Sequence, residues 1–220
     1  MSPIVPAVIP TSFADIVSTL NRISSFTHEV QIDVVDGKFV PYTSWPYCDG
    51  AHIADLAQIT KEYITEMDLM IMEPEQVLHE YVATGVRRIV VHLESVHDLT
   101  PILSLRKEHD FKLGFSINND TPLSTLTDVI DSADYVQLMG IAHIGVQGQP
   151  FDERVLSRIT ELRKAYPALL ISIDGSVNAD TVGRLAHAGA DRCVSGSAIL
   201  KQEHPEEAFD SLVSLHNIAS

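Results

Sequence analysis

Eight short apolar runs, each followed by a stretch with helical spacing, recur along this chain and limit what it can fold into. They occupy residues 4–9, 29–34, 67–71, 88–92, 112–117, 135–139, 169–173 and 192–195, and Val, Ile and Leu dominate them. Continuous apolar runs of this length read as strands buried on both faces, the pattern of parallel sheets. The segments between them carry apolar stripes: Val77, Leu78, Tyr81 and Val82 share one helical face, as do Val155, Leu156, Ile159 and Leu162. Glu73-Pro74, Thr121-Pro122 and Asn178 supply helix starts, and Gly85, Gly114 and Gly189 punctuate the returns to strand. Eight such units in 220 residues predict one α/β domain over residues 1–220, a (β/α)8 barrel at the compact end of its range. An open doubly wound sheet is the rival, but it seldom needs eight units in so short a chain. No linker or break in composition divides the sequence.

Charge narrows the partners. A formal net charge of −15 argues against nucleic acid or an anionic membrane, since both need a basic face. It leaves small anions open, because backbone N–H groups bind them without Lys or Arg. Cys48 and Cys193 form neither a disulfide framework nor a metal knuckle. No apolar run approaches the roughly 18 residues of a membrane span, and the amino terminus lacks a basic n-region. A cytoplasmic enzyme, working as a homo-oligomer, is expected. Loop 40–50 holds two prolines, two tyrosines and the only Trp, which suits a lid, a subunit contact or a packed surface loop.

In a barrel the chemistry gathers at the carboxyl ends of the strands. Alternation puts Gln31, Asp33 and Val35 on one face of the second run, and Asp68 and Met70 on one face of the third. The fourth, sixth and seventh runs lead into His92, Met139 and Asp174. A carboxylate in an apolar run costs several kcal/mol unless paired or liganded, so Asp33 and Asp174 read as functional rather than as caps of loop amides, while Asp68 suits either role. Asp174-Gly175-Ser176-Val177-Asn178 and Ser195-Gly196-Ser197-Ala198-Ile199 follow the last two runs. Small residues at two successive strand ends suit a phosphate cradle.

Asp33-Val34-Val35-Asp36-Gly37-Lys38-Phe39-Val40-Pro41 resembles the D-V-M-D-G-x-F-V-P signature of ribulose-phosphate 3-epimerases. The likeness runs nearly end to end: Pro6-Ala7-Val8-Ile9 is similar to P-S-I-L, Asp68-Leu69-Met70-Ile71 to H-L-M-V, and Asn118-Asn119-Asp120-Thr121-Pro122-Leu123 to N-P-x-T-P-L. Gly145-Val146-Gln147-Gly148-Gln149-Pro150-Phe151 resembles G-F-G-G-Q-x-F, Asp174-Gly175-Ser176-Val177-Asn178 resembles D-G-G-I-N, and Gly196-Ser197-Ala198-Ile199 resembles G-S-A-I. The resemblance implies an epimerase of ketose phosphates, such as the ribulose 5-phosphate/xylulose 5-phosphate pair, with Asp33 and Asp174 as acid and base. It implies substrate or phosphate contacts at Ala7, Met70, Met139, Gly145, Gly148, Gly175, Ser176, Gly196 and Ser197.

The departures bear on the metal. The family's two ligand histidines fall on Gln31 and Asp68, its two ligand aspartates on Asp33 and Asp174, its opening Ser on Ala7, one of three site methionines on Val35, and two loop glycines on Gln147 and Ser176. The set implied for a divalent cation is therefore Gln31, Asp33, Asp68 and Asp174, all oxygen donors. That favours Mg2+ or Mn2+ over Zn2+, or a site that has given up its metal. His92 and His143, both at strand ends, are the candidates for a replacement imidazole. His79, His97, His109, His187, His204 and His216 fall on helices or their ends, where a solvated imidazole is expected. Two other readings stand beside the epimerase. One is a lyase or synthase on the same barrel, which would want a Lys at a strand end. The other is a phosphate-binding homologue without catalysis.

Overall fold

The β-rich runs close on themselves. A computed structural model, describing residues 2–48, 51–146 and 148–220, shows a closed parallel barrel in the order β1-β2-β3-β4-β5-β6-β7-β8. The strands are β1 Ile4–Val8, β2 Glu29–Val35, β3 Ile64–Met70, β4 Arg88–His92, β5 Lys112–Ile117, β6 Tyr135–Met139, β7 Ile171–Asp174 and β8 Arg192–Ser195. Closure comes from β1 against β8, with Ile4 opposite Cys193 and Pro6 opposite Ser195. Between strands run α1 Phe13–Ile23, α2 Leu78–Ala83, α3 Leu99–Glu108, α4 Arg154–Ala165 and α5 Val182–Ala188, and after β8 come α6 Ser197–Leu200 and α7 Pro205–Ala219.

Helix starts follow local chemistry. Ser12 caps α1, its side chain accepting from Asp15 N–H at 3.1 Å, and Asp98 caps α3 through Thr100 N–H at 2.8 Å. Three expected starts come out differently. Thr121-Pro122 leads only into a 3-10 turn, Leu123–Leu126, because Ser, Thr and Asp crowd the following residues and compete for backbone hydrogen bonds. Glu73-Pro74 opens a 3-10 turn, Pro74–Gln76, ahead of α2. Asn178 accepts from Asp180 N–H at 2.9 Å, and α5 begins four residues later at Val182.

Each strand sorts its residues by face. Val30, Ile32 and Val34 of β2, Met67 and Leu69 of β3, and Ile89 and Val91 of β4 pack outward against the helices. The alternate residues fill the barrel, and many are polar. At its floor Arg192 Nη1 meets Glu66 Oε2 at 2.8 Å, Arg88 pairs with Glu29, and the Arg192 guanidinium lies 5.9 Å from the centre of the Tyr135 ring. Gly114 makes that ring possible: a Cβ there would come within 2.5 Å of it. Gly114 thus serves packing inside β5 and does not mark a return to strand. Of the expected surface histidines, His216 is buried, and burial holds its imidazole below the usual value.

Loop 40–50 is half packed. Trp45 is buried, its backbone N–H bonded to Pro10 O at 2.8 Å, while Tyr42 and Tyr47 are exposed. Ser44 Oγ accepts from Val35 N–H at 2.9 Å and donates to Asp33 O at 3.0 Å, which pins the end of β2. Residues 49 and 50 lie outside the described residues.

The floor generates a stability prediction. Removing one member of a buried ion pair leaves a charge without compensation. Arg192→Met should lower unfolding free energy by about 3 kcal/mol in urea, and adding Glu66→Met should restore much of it. A loss in the double variant equal to the sum of the Arg192→Met and Glu66→Met losses would show that the pair is not coupled.

Candidate active site

Register brings the carboxylates together. Asp33 on β2 lies opposite Asp68 on β3, and Asp174, the last residue of β7, lies opposite Met139 on β6. Oxygens of Asp33, Asp68 and Asp174 all fall within 4.8 Å of one another. Gln31, two residues before Asp33 and so on the same face, donates from one Nε2 to Asp33 Oδ1 at 2.9 Å and to Asp174 Oδ2 at 2.7 Å. His92 Nε2 lies 3.0 Å from Asp68 Oδ1, and Gln137 Nε2 donates to Asp68 Oδ2 at 2.9 Å.

Above this cluster opens a cavity of about 260 Å³. Asp33, Asp174, Met70, Met139 and Ala7 line it, as do Gly145, Gly148, Gly175, Ser176, Gly196 and Ser197 on its rim. Gln31, Asp68 and His92 lie below it, wholly buried. His143 is not brought to the site. Ile141 and Ile144 are the residues of that loop that turn inward, packing with Val35, Met70 and Met139, and they leave His143 exposed. Gln147 lies outside the described residues. The turn after β7 sits tight against the end of β6: Gly140 N–H donates to Asp174 O at 2.6 Å, and a Cβ on Gly140 would collide with Gly175 O at 2.1 Å. Ser176 holds φ +55, a left-handed value unusual for a side-chain-bearing residue, and its Oγ donates to Gln149 O at 3.0 Å. Ser195 Oγ donates to Val177 O at 2.8 Å and ties the two rim turns together.

Burial of like charges shifts the pair upward. Asp33 is held well above the usual carboxylate range by burial first, then by Asp174 and Asp68, with the Gln31 N–H opposing. Asp174 is raised to about 7, again chiefly by burial and then by Asp68, while Gln31 and His92 pull it down. His92 is raised despite burial, which disfavours its charge, because Asp68 attracts and hydrogen-bonds the imidazolium.

Two constituents escaped the sequence reading: Gln137, and the Glu66–Arg192 floor. Their signal was present, since Gln137 sits two residues before Met139, and Glu66 two before Asp68, so that both share the inward face.

A barrel whose strand ends carry convergent carboxylates beneath a cavity rimmed by glycine turns defines a class of enzymes for small molecules. The fold is shared with 3-keto-L-gulonate-6-phosphate decarboxylase from Vibrio cholerae, at a TM-score of 0.73 and 14% identity over 100% of both chains. Residues 3–200 match the ribulose-phosphate 3 epimerase family. Ribulose-phosphate 3-epimerase of Aquifex aeolicus is 34% identical over 83% of this chain and 82% of its own, and that of Bacillus subtilis 29% over 96% and 98%. The chain belongs to the ribulose-phosphate 3-epimerase family, and with it to the isomerases that act on carbohydrates.

The cluster is able to hold a divalent metal. Three carboxylates converge, and the buried Gln31 Oε1 has no protein partner, so a turn of the amide would add a fourth oxygen donor.

A pH dependence of stability follows. Asp174 binds its proton more tightly in the folded chain than in the unfolded one, so its contribution is full below about pH 4 and is lost as pH rises through about 7. At pH 8 with chelator, Asp174→Asn should melt about 4 °C above the parent, and the gap should shrink at pH 5. Calorimetry showing equal melting points at both pH values would contradict the raised carboxyl.

Proposed function

We propose that this chain epimerises a ketose phosphate at C3, with ribulose 5-phosphate and xylulose 5-phosphate as the substrate pair. The observation that carries the reading is the Asp33/Asp174 pair, set on β2 and β7, bridged by one amide N–H group and pushed upward in proton affinity. Epimerisation beside a carbonyl removes the C3 proton from one face and returns a proton to the other. One carboxylate takes that proton, which leaves a C2–C3 enediolate, and the opposite carboxyl, protonated beforehand, supplies the new C–H bond. The two exchange roles in the reverse direction, and no net proton is consumed. An elevated pair suits this work, because one member holds a proton near neutral pH while the other accepts one.

The remaining residues bind and shield. Met70, Met139 and Ile141, with Val35 packed behind them, form an apolar wall that would keep water from the enediolate. The Gly175-Ser176 and Gly196-Ser197 turns would take the phosphate through backbone N–H groups, which is how an acidic chain can hold an anion. Asp33, Asp68, Asp174 and the Gln31 carbonyl would hold a divalent cation, and an all-oxygen set favours Mg2+ or Mn2+ over Zn2+. When bound, such an ion supplies positive charge beside the enediolate oxygens. Among the described residues no lysine lines the cavity, which disfavours the lyase or synthase reading. Two free cysteines suit the reducing conditions of a cytoplasmic location.

Ribulose 5-phosphate in D2O tests the reaction. The C3 proton signal should exchange with solvent and xylulose 5-phosphate should appear, and Asp174→Asn should slow both by at least about 10³-fold. A parent that binds the sugar phosphate without exchange would instead support the non-catalytic reading. The cradle has its own test by titration calorimetry. Gly196→Val should weaken inorganic phosphate at least about tenfold, since a branched side chain fills the turn, and an unchanged affinity would place the anion elsewhere.

A further inference from the structure

Gln137 occupies the middle of β6, fully buried, where a Leu or Met would fill the same space. Its Oε1 has no protein partner, a cost that an apolar side chain would not carry. Packing therefore does not account for a glutamine at this position. Its Nε2 does something specific. It donates at 2.9 Å to Oδ2 of Asp68, which stands on β3, the opposite wall of the barrel. His92 Nε2 meets the other oxygen of Asp68 at 3.0 Å. Both oxygens of the one carboxylate are thus tied, one from each side, while Asp68 remains within 4.8 Å of Asp33 and Asp174. Gln31 does the same for the other pair, reaching from β2 to Asp174 on β7. Two glutamine amides span the barrel, and between them they fix all three carboxylates.

We propose that Gln137 is a positioning residue that acts through Asp68: its cross-barrel amide, with His92 on the second oxygen, fixes the third carboxylate of the reactive cluster. The inference rests on that cluster being the reactive centre proposed above. Asp68 has two single bonds about which its carboxylate can turn, and a tied carboxylate gives up less freedom when it joins Asp33 and Asp174 around one cation. Outer hydrogen bonds of this kind typically contribute about 10–100-fold to metal affinity.

The experiment titrates Mn2+ into the full chain by calorimetry, with no substrate present, for the parent, Gln137→Met, Asp68→Ala and the double variant. Gln137→Met should leave the chain folded, with a modestly lower melting temperature from the lost donor to Asp68, yet weaken Mn2+ about tenfold. In the Asp68→Ala background the same change should cost less than about twofold, because there is no carboxylate left to hold. With ribulose 5-phosphate, Gln137→Met should lower kcat while KM stays within about twofold of the parent. An Mn2+ affinity and kcat both unchanged in Gln137→Met, or full additivity in the double variant, would overturn the proposal. Should Asp68→Ala fail to fold, the Mn2+ affinity and the kcat-against-KM split of Gln137→Met decide alone. An active parent with an indifferent Gln137→Met rejects only the positioning role. A parent that neither binds Mn2+ nor exchanges the C3 proton rejects that role together with the reading beneath it.

Discussion

One amide nitrogen joins the two walls of this barrel. Gln31 Nε2 donates to Asp33 on its own strand and to Asp174 across the mouth, at 2.9 and 2.7 Å. Two buried carboxylates would otherwise repel each other in a medium that screens poorly. Burial and mutual repulsion raise both carboxyls although the Gln31 donor opposes this, and on the epimerase reading that raised pair would supply the acid and the base. Asp68 enters the same balance differently, paired with His92 and held by Gln137.

Such a centre stands only on a rigid support. The floor beneath it is a second polar layer, Glu66 with Arg192 and Glu29 with Arg88, whose charges compensate within the barrel. Above it, apolar side chains from strand ends and loops close round the cavity. The carboxyl ends of the strands are fixed by short-range contacts: Ser44 clamps the end of β2, and Gly140 lets the turn after β7 pack against β6. The interior is thus layered, with ion pairs at the bottom, hydrogen-bonded carboxylates in the middle and an apolar wall at the top.

Much of this was legible in the sequence. Runs dominated by Val, Ile and Leu announce strands covered on both faces, and β4, β5, β6 and β8 begin and end where those runs do. Period-2 spacing placed Gln31 with Asp33, and Asp68 with Met70, on common faces. Three things were not legible. The Thr121-Pro122 start yields a 3-10 turn, because proline favours the first turn of either helix and only the following residues decide between them. His92 and His143 look alike as strand-end imidazoles, yet the inward turn of Ile141 and Ile144 sends His143 to solvent. Gln137 shows by its spacing from Met139 that it faces inward, but nothing local names its partner. Its role appears only when β3 and β6 face each other across a closed barrel, a contact between residues 69 positions apart.

On the epimerase reading Asp33 and Asp174 share a proton near neutral pH. Carbon-13 NMR of side-chain carboxyls, recorded from pH 4 to 9 on the metal-free protein, reads this directly. Two resonances that titrate late, one of them near pH 7, and that disappear in Asp33→Asn or Asp174→Asn respectively, are the predicted result. Both carboxyls fully ionised by pH 6, with ordinary transitions near pH 4, would contradict it.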